Sequence, residues 1–244
     1  MSETLTTRDL DADAVARRLA EDRDGFLAEA AGDGVAAAQA MWGQVLLDRG
    51  DAEAGFDWFV KAAAQDHPMA LNMVGRCYDL GWGTTVDKVR AAECFRVAAT
   101  RDLVWAMYNY ATSLALGEGV AEDKAEALQW LERAAASGDG LAAAKAANFI
   151  GSFAEDGWAG PRDMTRAARY YARAAAGGDF RGCFNHARML AAAGDVTGAL
   201  PWLKQAAALG HARFVAQVEA YLDASSDAAF RTRGLAAARE GARC

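Results

Sequence analysis

The residue types that most often carry catalysis or bind metal are few in this chain of 244 residues, and their spacing suits neither role. The histidines His67, His186 and His211 lie far apart, and none belongs to a His-Glu-x-x-His motif. The four cysteines contain no Cys-x-x-Cys pair of the kind that commonly holds zinc. The sequence therefore predicts no metal site and no cofactor.

Motifs that activate a nucleophile or bind a phosphate are also missing. The chain has no Gly-x-Ser-x-Gly elbow and no Ser-x-x-Lys pair. The Gly-x-Gly segments at Gly81 and Gly117 lack the Gly-Lys-Ser/Thr ending of a phosphate loop, so we interpret them as turn glycines. We therefore predict that the protein is not an enzyme.

Alanine-rich segments recur along the chain and mark the elements that would position any functional side chain. One alanine from each segment serves as a marker: Ala62, Ala98, Ala134, Ala174 and Ala206. Successive markers are 36, 36, 40 and 32 residues apart, a range that is typical of stacked helical hairpins. The predicted fold is all-α, a right-handed α-solenoid of about five helix-turn-helix repeats with capping helices at its ends.

Small residues and aspartates recur at fixed distances from these markers. Each predicted first helix has a small residue near its middle, where a partner helix can approach closely: Gly43, Gly75, Ala111, Gly151 and Ala187. Each first helix ends near a glycine that tolerates positive φ: Gly50, Gly81, Gly117, Gly157 and Gly194. Each second helix starts after an aspartate that can cap it: Asp51, Asp87, Asp123, Asp163 and Asp195. These signals predict both helices of every repeat.

Aromatic residues near the markers are expected to form the core between helices. They precede their markers by three or four residues: Trp58, Phe95, Trp130, Tyr170 and Trp202. Pro201 removes a backbone donor, so the helix that contains it is expected to start late or kink. Outside the repeats, the pattern predicts one helix over residues 15–31 and two further helices over 211–222 and 228–242.

Charge and composition exclude several classes of protein. The net charge of −7 and the pI near 5.1 argue against a nucleic-acid binder, which needs a concentrated basic face. The first residues do not form a secretory signal, and no stretch reaches the roughly 20 apolar residues of a membrane span. We therefore expect a cytoplasmic protein without membrane insertion. Cys77, Cys94, Cys183 and Cys244 are expected to stay reduced, although a bridge between Cys77 and Cys94 remains open.

Two extended turns carry a family resemblance. They read Leu-Gly-Trp-Gly-Thr-Thr-Val-Asp-Lys over 80–88 and Leu-Gly-Glu-Gly-Val-Ala-Glu-Asp-Lys over 116–124. Together with the alanines and aromatics on either side, they resemble the Sel1-like repeat, the longer-turn relative of the tetratricopeptide repeat. The resemblance implies a capping segment over 1–33, a repeat solenoid over 34–210, and capping helices with a tail over 211–244.

The resemblance also implies a binding surface, because the first helices of such solenoids line a concave groove. By similarity, the groove-facing positions are Asn72, Arg76, Trp105, Tyr108, Thr112, Lys145, Asn148, Ser152, Arg181, Phe184 and Arg188, together with Asp79 and Glu155. Carboxamides can bond a peptide backbone, cations can hold carboxylates, and aromatics can anchor an interface. We predict a non-catalytic adaptor that binds a peptide or helix of a partner protein, with an acidic partner as one possibility.

The family resemblance also supports a second hypothesis. Some cysteine-rich Sel1-like relatives are linked to the binding or hydrolysis of cell-wall-like compounds. By that resemblance, the protein would be a small-ligand binder or a hydrolase. The chain lacks the regular cysteine pairs of those relatives, so the adaptor remains the leading hypothesis.

Overall fold

A computed structural model describes residues 11–138 and 140–243, without the side chain of Leu19. Residues 1–10 and Cys244, which fall in the predicted terminal segments, lie outside the described residues, as does Asp139. The described residues form fourteen α-helices: α1 (Ala12–Glu21), α2 (Arg23–Gly32), α3 (Ala36–Asp48), α4 (Ala52–Ala63), α5 (Pro68–Leu80), α6 (Lys88–Ala99), α7 (Val104–Leu116), α8 (Lys124–Ala136), α9 (Leu141–Asp156), α10 (Met164–Ala176), α11 (Phe180–Ala192), α12 (Val196–Leu209), α13 (Ala212–Asp223) and α14 (Ala228–Gly241).

The helices divide into two compact units on either side of the boundary between residues 122 and 123. In unit 1, which contains α1 to α7, each helix packs against the next one along the chain. In unit 2, which contains α8 to α14, the same serial packing holds, and α14 also packs against α12. The prediction of an all-α fold built from stacked helical hairpins is confirmed. The predicted division at residues 33 and 210 stays a prediction.

The capping signals act as the sequence predicts. All five aspartates are N-caps, and each carboxylate accepts a bond from the backbone N–H three residues later at 2.8–3.2 Å. All five glycines at the ends of the first helices have positive φ, between +69° and +89°. These caps satisfy backbone groups that a helix end leaves unpaired, so they set the helix boundaries locally.

The small residue in the middle of a first helix permits close contact with the second helix. A Cβ placed on Gly75 would lie 2.6 Å from the ring of Phe95, and a Cβ on Gly151 would lie 2.5 Å from the ring of Tyr171. Such distances are shorter than carbon atoms tolerate, so the aromatic ring occupies the space that a side chain would need. The predicted close approach of the two helices is confirmed.

The core, however, uses a position one residue later than predicted in four of the five repeats. The buried residue lies three residues before the marker alanine: Phe59, Phe95, Leu131, Tyr171 and Leu203. The aromatics four residues before their markers are only half-buried: Trp58, Trp130, Tyr170 and Trp202. A shift of one residue turns a side chain by about 100° around the helix axis. Of the five predicted aromatics, only Phe95 is therefore buried, whereas Trp58 and Trp202 pack against the edge of a core cluster.

Two other expectations need correction, and repeat four differs from the others in helix length. The N-terminal segment forms two helices rather than one, because Asp22 ends α1 and caps α2. The longer spacing in repeat four extends α9 to 16 residues, against 13 in α5 and α7. Helix α12 begins directly after Asp195, so Pro201 does not delay its start. The two C-terminal helices form as predicted, as α13 and α14.

Candidate functional site

The predicted surface residues of unit 1 lie on α5 and α7, and the structure places Asn72 differently from the prediction. Asn72 is only 3% exposed, and its side-chain oxygen accepts a bond from Nδ2 of Asn109 at 2.9 Å. The Asn72 carboxamide therefore bonds α5 to α7 and is not exposed to a partner. We correct the prediction by leaving Asn72 out of the surface.

The other predicted residues of unit 1 are half-buried. The guanidinium of Arg76 lies over the ring of Trp82, 4.7 Å from its centroid. The hydroxyl of Thr112 donates to the carbonyl of Tyr108 at 2.9 Å, and Trp105 lies two turns before Thr112 on the same helix. These four side chains keep part of their surface in solvent, so they remain available for contact.

In unit 2, an ion pair joins α9 to α11 at the predicted surface. Arg188 binds Glu155 with two parallel hydrogen bonds, at 3.0 and 2.6 Å. The hydroxyl of Tyr171 donates to the same carboxylate at 2.7 Å. The two ionised side chains are 21% and 18% exposed, so the pair is largely shielded from water. Bidentate geometry of this kind fixes the relative position of the two helices.

Carboxamides extend this network. Asn185 donates from Nδ2 to Oδ1 of Asn148 at 2.8 Å, and its own oxygen accepts from Nε of Arg188 at 3.1 Å. Ser152 lies 3.4 Å from the carbonyl of Asn148 and 3.3 Å from the hydroxyl of Tyr171. We call the six side chains that share these bonds the polar network: Asn148, Ser152, Glu155, Tyr171, Asn185 and Arg188.

Sequence reasoning missed Asn109, Asn185 and Tyr171. A signal for the two asparagines was present, because each lies 37 residues after a predicted asparagine, Asn72 or Asn148. In both units the pair joins neighbouring first helices through one amide hydrogen bond. Tyr171 gave no comparable signal, since it lies on a second helix.

Aromatic and cationic side chains flank the polar network. The ring of Phe184 packs edge-to-face against Tyr221, with centroids 5.2 Å apart, and Tyr221 is 46% exposed. Near the start of α11, the cations of Lys145 and Arg181 lie 5.9 and 4.6 Å from the ring centroid of Phe180. The first-helix surface of unit 2 therefore combines an aromatic area with cations near the start of α11.

The ionisable groups of the polar network are bonded to one another. The hydrogen bonds from Arg188 hold the pKa of Glu155 below its usual range, against the opposing effect of burial. Burial and the bond to Glu155 raise the pKa of Tyr171. Tyr171 therefore stays a neutral donor, Glu155 stays an acceptor, and neither is set up to move a proton at neutral pH. The polar network therefore holds the first-helix surface of unit 2 in one arrangement.

This ionisation predicts how stability depends on pH. The folded pKa of Glu155 lies below its unfolded value of about 4.3. The ionised carboxylate therefore stabilises the folded protein fully above the unfolded pKa, and this stabilisation is lost as the pH falls through the folded pKa. We expect the wild type to exceed Glu155→Gln by roughly 2 kcal/mol in unfolding free energy at pH 7. Urea unfolding at a series of pH values from 7 downwards measures the difference, which should shrink as the pH falls through the folded pKa of Glu155. An unchanged difference would contradict the proposed ion pair.

The remaining candidate groups are buried or fold back on the protein. Cys77, Cys94 and Cys183 are free thiols, and burial raises the pKa of each to about 11. Trp82 packs on the core of its own hairpin, and Trp158 packs against Phe153 with ring centroids 5.2 Å apart. Within residues 11–138 and 140–243, no three His, Cys, Asp or Glu residues cluster as metal ligands would, and no helix is long and apolar enough to cross a membrane.

Helical hairpins that pack one after another along the chain define an α-solenoid repeat protein. The Sel1 repeat model matches five segments of the chain: 36–67, 68–103, 106–139, 144–179 and 188–211. These matches cover more than half of the sequence. The chain belongs to the Sel1 repeat family.

Solved structures agree with this assignment. A Sel1 repeat protein from Oxalobacter formigenes is 26% identical, with a TM-score of 0.70 over 96% of this chain and 89% of that chain. A crystal structure from Klebsiella pneumoniae subsp. pneumoniae, described as a sel1 repeat protein, is 22% identical, with a TM-score of 0.57 over 77% of this chain and 93% of that chain. The second similarity supports the fold alone.

Proposed function

We propose that the protein is a non-catalytic scaffold that binds a peptide or a helix of a partner protein on its first-helix surface. Sel1 repeats generally mediate protein interactions, and solenoids of this family are typically non-catalytic. The observation that carries the proposal is the polar network of unit 2, which holds α9 and α11 in fixed positions beneath half-exposed side chains. A preordered surface loses little conformational entropy on binding.

The chemistry of this surface suits a peptide with both apolar and acidic groups. Phe184 and Tyr221 present aromatic area, which is the type of contact that dominates interface energies. Arg181 is exposed near the start of α11 and can reach a carboxylate. Arg188 is committed to Glu155, so we assign it the role of ordering the surface rather than that of binding the partner.

The two cavities of the described residues beside α14 and beside the long turn of repeat four lie away from this surface. The largest one described, of about 570 Å³, lies between α12 and α14 and is lined by Leu200, Pro201 and Ala237, among others. Another, of about 180 Å³, lies beside the long turn of repeat four, between Leu128 and Ala159. Neither is lined by the predicted site residues, which favours an extended protein contact over a small-ligand pocket at that surface. We propose the cytoplasm as the location of this contact.

Two double substitutions test the proposal, one on α11 and α13 and the other on α12. Arg181→Ala with Tyr221→Ala changes the first-helix surface, whereas Gln205→Ala with Leu209→Ala changes exposed positions of α12. We expect the first variant to recover at least about tenfold less of the proteins captured by the wild type from native cell extract, because interface anchors contribute roughly 1–2 kcal/mol each. The matched variant should recover them within about twofold.

Mass spectrometry of the captured proteins, followed by calorimetry with the purified partner, provides the measurement. Circular dichroism first establishes equal helical content in both variants. Equal recovery by both variants would place the contact elsewhere and overturn the proposal. If the wild type captures no specific protein, the ligand-binding alternative takes its place.

A further inference from the structure

The charged residues of the chain are distributed unevenly between its halves. Residues 1–122 contain 20 Asp and Glu against 11 Lys and Arg, whereas residues 123–244 contain 13 against 15. Within residues 164–218 the only acidic side chains are Asp179 and Asp195, and both cap helices. Asp179 is also 1% exposed. Although the whole chain is acidic, unit 2 therefore contains a basic region.

Three arginines on α10 and a fourth just before this helix form one strip. We call Arg162, Arg166, Arg169 and Arg173 the arginine strip. Their spacing of four, three and four residues places the three helical members within about 60° of one another around the helix axis, and Arg166 and Arg173 are about 10 Å apart along it. Arg162, Arg169 and Arg173 are exposed, and Arg166 is half-buried.

The contacts within the protein leave most donors of the strip unused. Arg166 bonds to Glu132 at 2.5 Å, and Nε of Arg162 donates to the carbonyl of Glu155 at 2.6 Å. Arg173 donates to the carbonyl of Ala135. A guanidinium has five N–H donors, so each of these side chains retains several.

Arg169 is the residue of the arginine strip that most clearly indicates a binding surface. Its guanidinium lies over the ring of Tyr170, 5.3 Å from the centroid, and Arg166 lies 5.7 Å from the same ring. Among the described residues, no carboxylate forms an ion pair with Arg169. The ring lies between the two cations, and the N–H donors of Arg169 are exposed to a partner.

We infer that the arginine strip is a second docking surface, which binds an acidic helix of a partner protein. A helix with glutamates three and four residues apart presents carboxylates at the same intervals as the guanidiniums of α10. Arginine and carboxylate also match in geometry, since both are planar and can form two parallel bonds. The inference does not rest on the proposed function, because the strip lies on a second helix and shares no residue with the first-helix surface.

The test uses a fluorescein-labelled synthetic helix of about 21 residues with glutamates three and four residues apart on one face, and the same peptide with glutamine instead. Fluorescence anisotropy measures their binding to the whole protein. Arg166→Glu with Arg169→Glu should weaken binding of the glutamate peptide by roughly tenfold or more. The glutamine peptide should bind weakly to every form, and raising the ionic strength from about 0.05 M to 0.5 M should weaken the glutamate peptide strongly.

A matched variant controls for charge and for the lost ion pair. Arg213→Glu with Arg239→Glu makes the same change in net charge, and Arg239 pairs with Glu219 as Arg166 pairs with Glu132. This control should change the affinity by less than about threefold, and circular dichroism should show equal helicity in both variants.

Three results would overturn the inference. The first is equal weakening by the two variants, which would indicate a general charge effect. The second is tight binding of a single-stranded DNA 20-mer that the strip variant abolishes, without binding of the glutamate peptide. The third is self-association of the protein at low ionic strength that the strip variant abolishes, since the occupant would then be a second copy of this chain.

Discussion

Replacing Gly119 by alanine is expected to destabilise the protein by about 3 kcal/mol or more. Gly119 has a φ of +73°, and a Cβ at this position would lie 1.9 Å from the carbonyl oxygen of Lys88. The obstacle is backbone at the first residue of α6, so no side chain can rotate away to make room. The cost therefore combines left-handed backbone strain with displacement of the turn from α6.

Gly117→Ala provides the matched control, because it separates these two costs. Gly117 has a similar φ of +69°, but the nearest atom to its Cβ would lie 3.4 Å away. We expect this variant to lose only the left-handed penalty of about 1 kcal/mol. Urea unfolding followed by circular dichroism measures both variants. Equal destabilisation would show that the turn moves freely and that its contact with α6 contributes nothing.

The same contact recurs in repeat two and is altered in repeat four. A Cβ on Gly83 would lie 2.1 Å from the carbonyl oxygen of Ala52, the first residue of α4. At the equivalent place repeat four has Ala159, which lines a cavity of about 180 Å³ together with Leu128 of α8. A looser contact between turn and helix is what we expect where a side chain replaces the glycine.

Replacing Phe59 by alanine should cost about 3–5 kcal/mol, whereas replacing the adjacent Trp58 should cost only about 1–2 kcal/mol. Phe59 is completely buried among Met73, Val74 and Cys77, so its loss leaves a cavity in the core of unit 1. Trp58 is half-buried, and the ammonium of Lys61 lies 3.9 Å from its ring centroid. Trp58 packs against the cluster of Leu27 and Ala30 on one side and keeps part of its surface in solvent, so its removal exposes a smaller buried area than the removal of Phe59.

Thermal and urea unfolding of the two variants measure this difference. Leu203→Ala and Trp202→Ala repeat the comparison in unit 2, where Leu203 is fully buried and Trp202 is half-buried. A larger loss for the tryptophan variants would contradict the assignment of the core to the position three residues before each marker alanine.

Much of the fold could be predicted because its signals are local. An aspartate such as Asp87 caps the helix that starts at the next residue, and a glycine such as Gly81 ends the helix before it. Both effects depend on backbone groups within about four residues, so they can be identified without knowing the rest of the structure. The repeat spacing and the turn sequences then indicated the family.

The candidate site was only partly predictable, because its contacts join residues that are distant in sequence. Arg188 and Glu155 were both predicted surface positions, yet their ion pair depends on how α11 lies against α9. The same stacking buries Asn72 against Asn109 and brings Tyr171 into the polar network.

The sequence by itself determined the helices, their ends, the repeat and the class of protein. Only the tertiary structure decided which face of each helix is buried, and thus that Phe59 rather than Trp58 fills the core. The physical reason is that one residue changes the direction of a side chain by about 100°, while both candidates are large and apolar. The choice between them depends on the direction from which the neighbouring helix approaches.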